Sequence, residues 1–463
     1  MIPLTLDQVA RATGGALGGA AEGGSVVSGI STDTRAVAVG DLFVAVVGER
    51  VDAHDLAADA VAAGAAAVLA SRPVDVPHVL VDDTVAALGR LAHAVLVDHP
   101  SVVVVGVTGS SGKTSTKDLL AHVLPAYGPT VAPQGSLNTE VGLPVTALGI
   151  DERTRVLVAE MGARGVGHVR YLCGIAPPRI GVVLNVGSAH VGEFGSKQTI
   201  ALAKGELVEC LPPAAAGGVA VLNADDPLVT AMAPRTAARV VTYGEAPDAS
   251  VRAVDVRLDD EGRASFGLVV GGRRAAVTLG LHGRHHVSNA LAAAAVGTAL
   301  GLDLDEVAAA LSSARPASRW RMEVSTAPSG ATVVNDAYNA NPDSVRAALE
   351  ALAAMTRGGR RGTAVLGEMF ELGETTVDLH EETGREAARQ GVARLVAVGT
   401  SEPAAALARG FTAAGGAEAV VVTDDAGALT VLGALGPDDV VLVKASRAAG
   451  LERLAHALTE VAS

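Results

Sequence analysis

The sequence predicts an α/β protein of three lobes: a small N-terminal α/β unit, a central doubly wound and mostly parallel sheet with an antiparallel appendage, and a C-terminal doubly wound α/β sheet. Three observations lead there. At 463 residues the chain exceeds one ordinary core, since domains run to roughly 100–200 residues. Short Val-rich runs alternate with helical stretches along most of its length, the pattern of repeated βα units. That pattern is interrupted twice, between about 250 and 281 and again at 312–319.

Residues 1–98 alternate apolar runs such as DLFVAVV and AAVLAS with helical stretches such as LAADAVAAGA and TVAALGRLAHAVL, a small α/β unit. After DHP at 98–100, SVVVVGVTG has the length and composition of a strand buried on both faces, so a second lobe is placed at 99–313. RVLVAEMG, RIGVVLNVG and GGVAVLNADD supply further strands of that sheet. From about 250 to 281, extended runs broken by DDEG and GGRR read as antiparallel hairpins, followed by the helix SNALAAAAVGTAL. SSARPASR at 312–319 is small and polar with one Pro, the composition of a linker. The third lobe, 314–463, then carries ATVVNDAY, TAVLGEM, ARLVAVG, EAVVVTD and DVVLVKAS between helical segments, a Rossmann-like arrangement.

Hydrophobic residues make up 49% and charged residues 19%, enough to fill cores and unlike a disordered chain. One Trp, four Tyr and five Phe leave few platforms for stacking bases, and the net charge of −14 opposes a broad phosphate-binding surface. Nucleic acid is therefore not an expected partner. The opening MIPLTLDQVARATGG has no basic segment followed by an apolar run, and no stretch approaches the roughly 20 apolar residues of a membrane span. A cytoplasmic protein without membrane attachment is expected. Cys173 and Cys210 form neither a disulfide framework nor a metal spacing and read as free thiols.

The sharpest chemical signal is GVTGSSGKTST at 106–116, between an apolar strand and the helical KDLLAHVL. In such a phosphate loop (P-loop), the backbone N–H groups of Gly109, Ser110, Ser111, Gly112 and Ser115 and the helix start face phosphate oxygens. Lys113 neutralises terminal phosphates and Thr114 offers a hydroxyl to Mg2+. The strict G-x4-G-K-[ST] spacing needs Gly at 107, where this chain has Val, so the match is to the TGxxGKT variant. An ATP site is expected. Glu160, ending VLVAEMG, and His190, after GVVLNVG, fall where parallel strands deliver ligand-facing residues. By position, Glu160 reads equally as a Mg2+ ligand or a structural acid, and His190 more readily as a structural histidine. Lys204 alone reads as an ordinary exposed helix lysine.

Together these residues resemble the Mur ligases of bacterial cell-wall synthesis. GVTGSSGKTST is joined by AEMG at 159–162, Asn185 and His190 in NVGSAHVGEFGS, AKGE around Lys204, and HHVSNALAAAA around Asn289. Within that family, STDTR, GDLFVAVVGERVDAHD, GSLNTEVGLP, NDAYNANPDS, VLGEMFELGE with His380, and VLVKASRAAGLE are similar to the member that adds D-alanyl-D-alanine to UDP-N-acetylmuramoyl-tripeptide. The resemblance implies an ATP- and Mg2+-dependent amide-bond ligase acting through an acyl phosphate. It implies Lys113 at the β- and γ-phosphates, Thr114 and Glu160 on one Mg2+, His190 on a second, and Lys204 carbamylated as a supporting anion. It further implies adenine contacts from Asn289 and Arg319, a ribose contact from Asp336, and closure of Lys444 and Arg447 over substrate or the γ-phosphate. Thr34 and Arg35 would hold the uridine diphosphate end, with Asn138 and Thr139 near the peptide. By composition alone, Asn289 is equally a helix cap, Arg319 a linker charge, and Lys444 and Arg447 a solvated strand end. Lobes that must move against one another suggest a monomer.

Two other readings share the loop. Neither the specificity pattern of a sister ligase adding the third amino acid nor that of a folylpolyglutamate-type ligase is seen: a sister enzyme adding diaminopimelate would carry Asp-Asn-Pro-Arg where this chain has Asn-Ala-Asn-Pro at 339–342. A regulatory ATPase or nucleotide switch that reads guanine would carry Asn-Lys-x-Asp, which is absent from the sequence.

Overall fold

The structure, a computed structural model, describes residues 1–48, 50–187 and 191–460. Near the N-terminus, five strands lie in the order Ala16–Gly18, His78–Leu80, Ala67–Ala70, Asp41–Val44, Gly29–Ser31, parallel except at the Ala16–Gly18 edge. Leu4–Thr5 and Val26–Val27 form a separate two-stranded ribbon too short to show a period in the sequence.

The central sheet has nine strands, ordered Arg273–His282, Arg263–Val270, Val251–Leu258, Arg239–Gly244, Val219–Asn223, Ile180–Val183, Val103–Thr108, Val156–Glu160, Thr130–Val131. The strands of residues 103–244 are mutually parallel, and Val251–Leu258 joins them in parallel before two antiparallel hairpins complete the edge. The expected antiparallel appendage is thus continuous with the parallel sheet. Strand faces alternate between two cores: Val104, Leu157 and Ala159 belong to one apolar cluster, and Val103, Val105, Val107, Val156 and Val158 to the other. Covering on both faces explains the uninterrupted Val run, each fully buried Val contributing about 1.5–3 kcal/mol relative to exposure.

Because Val103–Thr108 lies between Ile180–Val183 and Val156–Glu160, the chain first builds the sheet to one side of it and then crosses to the other. The carboxyl ends of these three strands therefore flank a topological switch point, the crevice where open α/β sheets bind ligands.

The third sheet runs Glu323–Thr326, Thr332–Asn335, Asp439–Lys444, Arg361–Leu366, Arg394–Val398, Glu418–Val422, parallel apart from its first pair. It too separates two cores, with Val334, Leu366 and Leu442 on one side and Val333, Val365 and Val441 on the other. Between the second and third sheets, Ser312 and Ser313 of the expected linker still belong to the helix Leu304–Ser313. Their hydroxyls donate back to Ala308 O and Ala310 O, and the helix stops three residues before Pro316.

Candidate active site

The strand Val103–Thr108 is buried throughout and delivers the loop 109–112 directly into the helix Lys113–Val123. Gly112 caps that helix at φ 81°, a left-handed conformation that glycine adopts without a Cβ penalty. A clasp from the neighbouring strand fixes the loop. Ser111 N donates to Asn185 Oδ1 at 2.9 Å, Asn185 Nδ2 donates to Ser111 O at 3.2 Å, and Ser110 N donates to Asn185 O at 3.1 Å. Gly187 N completes it by donating to Ser110 Oγ at 2.9 Å. Lys113 folds back to donate to Gly109 O at 2.8 Å. Desolvation pushes its ammonium pKa down, the Glu160 carboxylate opposes that, and the Arg321 charge adds to it.

Glu160 ends its strand only 1% exposed, yet both carboxylate oxygens are satisfied. Thr114 Oγ1 donates to Oε2 at 3.0 Å, while Ser136 Oγ and Asn138 Nδ2 donate to Oε1 at 2.9 and 2.8 Å. A hydroxyl and a carboxylate meeting beside a phosphate loop are the hard oxygen donors that suit Mg2+. Among the described residues no group of three or more His, Cys, Asp or Glu could hold a metal. An ion here would therefore complete its shell with water and phosphate oxygens, as Mg2+ prefers.

The expectation of an exposed Lys204 is overturned. The helix Lys197–Glu209 turns its Ala203–Val208 segment inward, leaving Lys204 3% exposed at the cleft wall. Among the described residues its amine has no hydrogen-bond or ion-pair partner. Burial first, and then the Lys113 charge, push its pKa well below the ordinary lysine value.

Across the cleft, the third lobe contributes Asp336, Tyr338, Asn339, Lys444 and Arg447. Lys444 Nζ pairs with Asp336 Oδ2 at 2.6 Å and donates to Asn339 O at 2.9 Å, in a nearly dry setting. Arg447 lies 4.3 Å over the Trp320 ring and pairs with Glu452 at 2.8 Å. From the central lobe, Asn289 is buried, with Nδ2 3.5 Å from His286 Nδ1. Desolvation lowers the pKa of the adjacent His285 to about 4. The lobes also touch through glycines: a Cβ on Gly187 would lie 2.3 Å from Asp343 Oδ2, and one on Gly192 would lie 2.4 Å from Gly373 N. Gly192 N donates to Glu371 O at 3.3 Å.

One cleft of ≈ 1010 Å³ thus gathers Ser110, Ser111, Gly112, Lys113, Thr114, Ser115, Asn138, Thr139, Glu160, Lys204, Asn289, Asp336, Lys444 and Arg447. Gly109 does not line the cleft, and its carbonyl accepts from Lys113 Nζ. Thr34 and Arg35 lie outside the cleft in a short turn of the first lobe, where Arg35 is 88% exposed at its side chain and paired with Asp33. Arg319 is exposed and also outside it, whereas Arg321 lines it, stacked 4.1 Å over Tyr338 with its Nε buried and unpartnered. His190 lies outside the described residues. Sequence reasoning missed the clasp made by Asn185, the role of Ser136 at Glu160, and Arg321.

Family models match almost end to end: "Mur ligase family, catalytic domain" over residues 26–104, "Mur ligase middle domain" over 107–297, and "Mur ligase, glutamate ligase domain" over 320–447. The chain is 47% identical to the UDP-N-acetylmuramoyl-tripeptide--D-alanyl-D-alanine ligase of Mycobacterium tuberculosis, covering 99% of this chain and 98% of that protein. Against the Escherichia coli protein of the same name it is 35% identical, with 99% of each chain covered. Among solved structures, MurF from Acinetobacter baumannii superposes with a TM-score of 0.88 at 31% identity, covering 99% of both chains. The MurF ligase from Thermotoga maritima in complex with ADP gives 0.80 at 32% identity, covering 94% of this chain and 97% of that one.

Proposed function

The chain belongs to the Mur ligase family, and from that premise we propose that it is an ATP-dependent ligase joining D-alanyl-D-alanine to UDP-N-acetylmuramoyl-tripeptide. The observation that carries the chemistry is the convergence, in one cleft, of the phosphate loop, the Thr114–Glu160 pair and the buried Lys204. The acceptor is supported by near-complete coverage of relatives bearing that name at 47% and 35% identity.

In this reading the tripeptide carboxylate attacks the γ-phosphorus of ATP, the bond to the β-phosphate oxygen breaks, and ADP and an acyl phosphate result. The dipeptide amine then attacks the acyl carbon, phosphate leaves, and the amine loses its proton to solvent. No protein nucleophile is required, so the residues act by alignment and by neutralising charge. The loop N–H groups and Lys113 hold the phosphates. Thr114 and Glu160 would hold Mg2+, which supplies Lewis-acid neutralisation of phosphoryl charge. Lys204, whose charged form burial and the Lys113 charge disfavour, adds CO2 through its neutral amine, loses a proton and becomes a carbamate, an anion beside Lys113. His190 takes the family role at a second Mg2+. Asn289 reads the base and Asp336 the ribose. The cleft-facing Arg321 suits nucleotide contact better than Arg319.

Lys444 and Arg447 meet substrate from the third lobe, Asn138 and Thr139 lie toward the peptide, and Thr34 and Arg35 receive the uridine diphosphate end. The corresponding lobes are 1–98, 99–313 and 314–463. A monomer in the cytoplasm, acting on small molecules and on neither nucleic acid nor membrane, fits the nucleotide substrates and the charge of −14. Among the described residues no helix is long and apolar enough to cross a membrane.

Phosphate release is measured with ATP, Mg2+, the UDP-tripeptide and D-alanyl-D-alanine, omitting each in turn. Release needing all four, with a UDP-pentapeptide seen by mass spectrometry, is expected. Release indifferent to the dipeptide would overturn the assignment in favour of a sister ligase or a regulatory ATPase.

A further inference from the structure

Residues 161–167 connect the strand Val156–Glu160 to the helix His168–Ile175 along the cleft wall. Both ends of the segment are fixed. Met161 N donates to Val107 O at 2.8 Å and Gly162 N to Asn138 O at 2.9 Å, while Gly167 N donates to the buried Glu206 at 2.5 Å. Between these anchors Arg164 is exposed and lines the cleft. Its backbone N–H donates to His168 Nδ1 at 3.3 Å, which puts the imidazole proton on Nε2 and makes that atom a second donor on the wall. Farther along, Tyr171 meets the first lobe: a Cβ on Gly89, in the helix Thr84–Asp98, would lie 3.8 Å from its Oη. The Arg164 guanidinium has no hydrogen-bond or ion-pair partner among the described residues. The neighbouring acids are committed elsewhere: Glu160 accepts from Thr114, Ser136 and Asn138, Glu206 from Gly167 N and Arg170 N, and Glu209 pairs with Arg170 and Arg235. Glu140, exposed on the same cleft, makes no ion pair with it among the described residues. Lys444 and Arg447, facing from the third lobe, are by contrast already paired with Asp336 and Glu452.

We propose that Arg164, held by His168, binds a carboxylate of the UDP-tripeptide other than the one that is phosphorylated, and so sets the affinity for that substrate. The inference rests on the ligase reading above. In that reading the reacting carboxylate lies at the phosphate loop and the uridine diphosphate end at the first lobe. The peptide between them must cross the wall from Glu160 to Tyr171, and Arg164 stands on that path. The peptide carries suitable groups. Its glutamyl residue, joined through the side chain, keeps a free α-carboxylate, and a diaminopimelate in third place adds one at its far end, which a lysine lacks. A planar guanidinium meets a carboxylate through two parallel N–H···O bonds, whereas an ammonium meets it as a point charge. Because the group held here keeps its charge throughout the reaction, the contact is equally strong in ground and transition states. It therefore governs KM and leaves kcat alone.

The test compares the wild type, Arg164→Met and Arg164→Lys on three UDP-tripeptides: one ending in diaminopimelate, one ending in lysine, and the lysine form with its glutamyl α-carboxyl amidated, which keeps only the reacting carboxylate. Pentapeptide formation by the wild type checks the ligase reading by itself, and the ratio of variant to wild-type KM, or of Kd by calorimetry for a form that turns over slowly, checks the role of Arg164. For Arg164→Met the KM of the diaminopimelate form should rise about tenfold or more, with kcat, the KM for ATP and the melting temperature unchanged. Arg164→Lys should regain part of the affinity, and the amidated lysine form should bind wild type and variants equally. A rise shared by the lysine form assigns the glutamyl carboxylate, and a rise confined to the diaminopimelate form assigns the distal one. An unchanged KM on all three forms would overturn the proposal, as would an equal rise on the amidated form, which would put Arg164 on the diphosphate instead.

Discussion

Replacing Lys204 with Ala separates a catalytic anion from a structural lysine, because the two make opposite forecasts. At about pH 7.5 an ordinary exposed lysine is neutral in only about one molecule in a thousand. Burial, with Lys113 adding to it, lowers the Lys204 pKa far enough to raise that fraction greatly, and only a neutral amine adds CO2. Loss of one preorganised charged group at a phosphoryl site costs about 10²–10³ in kcat, roughly 3–4 kcal/mol of transition-state stabilisation. Lys204→Ala should therefore lose that much activity in the four-component phosphate-release assay. Its melting temperature should not fall, since the amine forms no bond among the described residues whose loss would be felt. Added short-chain carboxylic acids should restore part of the rate, and wild-type activity should fall in CO2-free buffer. Acidification should also lower activity, because protonation of the amine as pH falls through its folded-state pKa removes the nucleophile that captures CO2. A variant within tenfold of wild type, or one whose rate no carboxylic acid raises, would refute the reasoning.

Lys113→Ala should reduce kcat by about 10³ or more with an unchanged melting temperature, since this lysine neutralises phosphate instead of packing a core; retained turnover would contradict it. Arg321→Ala should raise the KM for ATP about tenfold, or ~1.4 kcal/mol, while Arg319→Ala changes it less than about twofold; the reverse ranking in steady-state kinetics would restore Arg319. His285, at a folded pKa of about 4 against an ordinary 6.5, binds fewer protons folded than unfolded in that interval. Its contribution is complete above pH 6.5 and about 3 kcal/mol is lost as pH falls to 4, so the denaturation midpoint of His285→Gln should depend less on pH there than that of wild type.

The phosphate loop was legible because strand, loop and helix are consecutive, and each residue's task follows from local backbone geometry. Asn185 was not legible as its clasp, since the 74 residues separating it from Ser111 are brought together only by the parallel pairing of neighbouring strands. The burial of Lys204 escaped notice because a helix period shows which residues share a face, not whether an ammonium on that face is enclosed. Choosing between Arg319 and Arg321 depended on the segment just after the linker, where Trp320 and Met322 both adopt positive φ, of 59° and 51°. Such backbone reverses the side-chain directions that ordinary spacing suggests. Thr130–Val131 is too short to show a period, and Arg239–Gly244 begins with exposed residues that blur its apolar run.

The glycine contacts between central and third lobes carry information in missing atoms. At Gly187 and Gly192 the approach is close enough that one added methyl would strike Asp343 or the backbone of Gly373. Fit there is specified by what the side chain lacks, so accounts that sum attractive contacts would score these positions as nearly worthless. In a saturation mutagenesis screen they should stand out as intolerant sites of small apparent energy, where even Ala is a large residue.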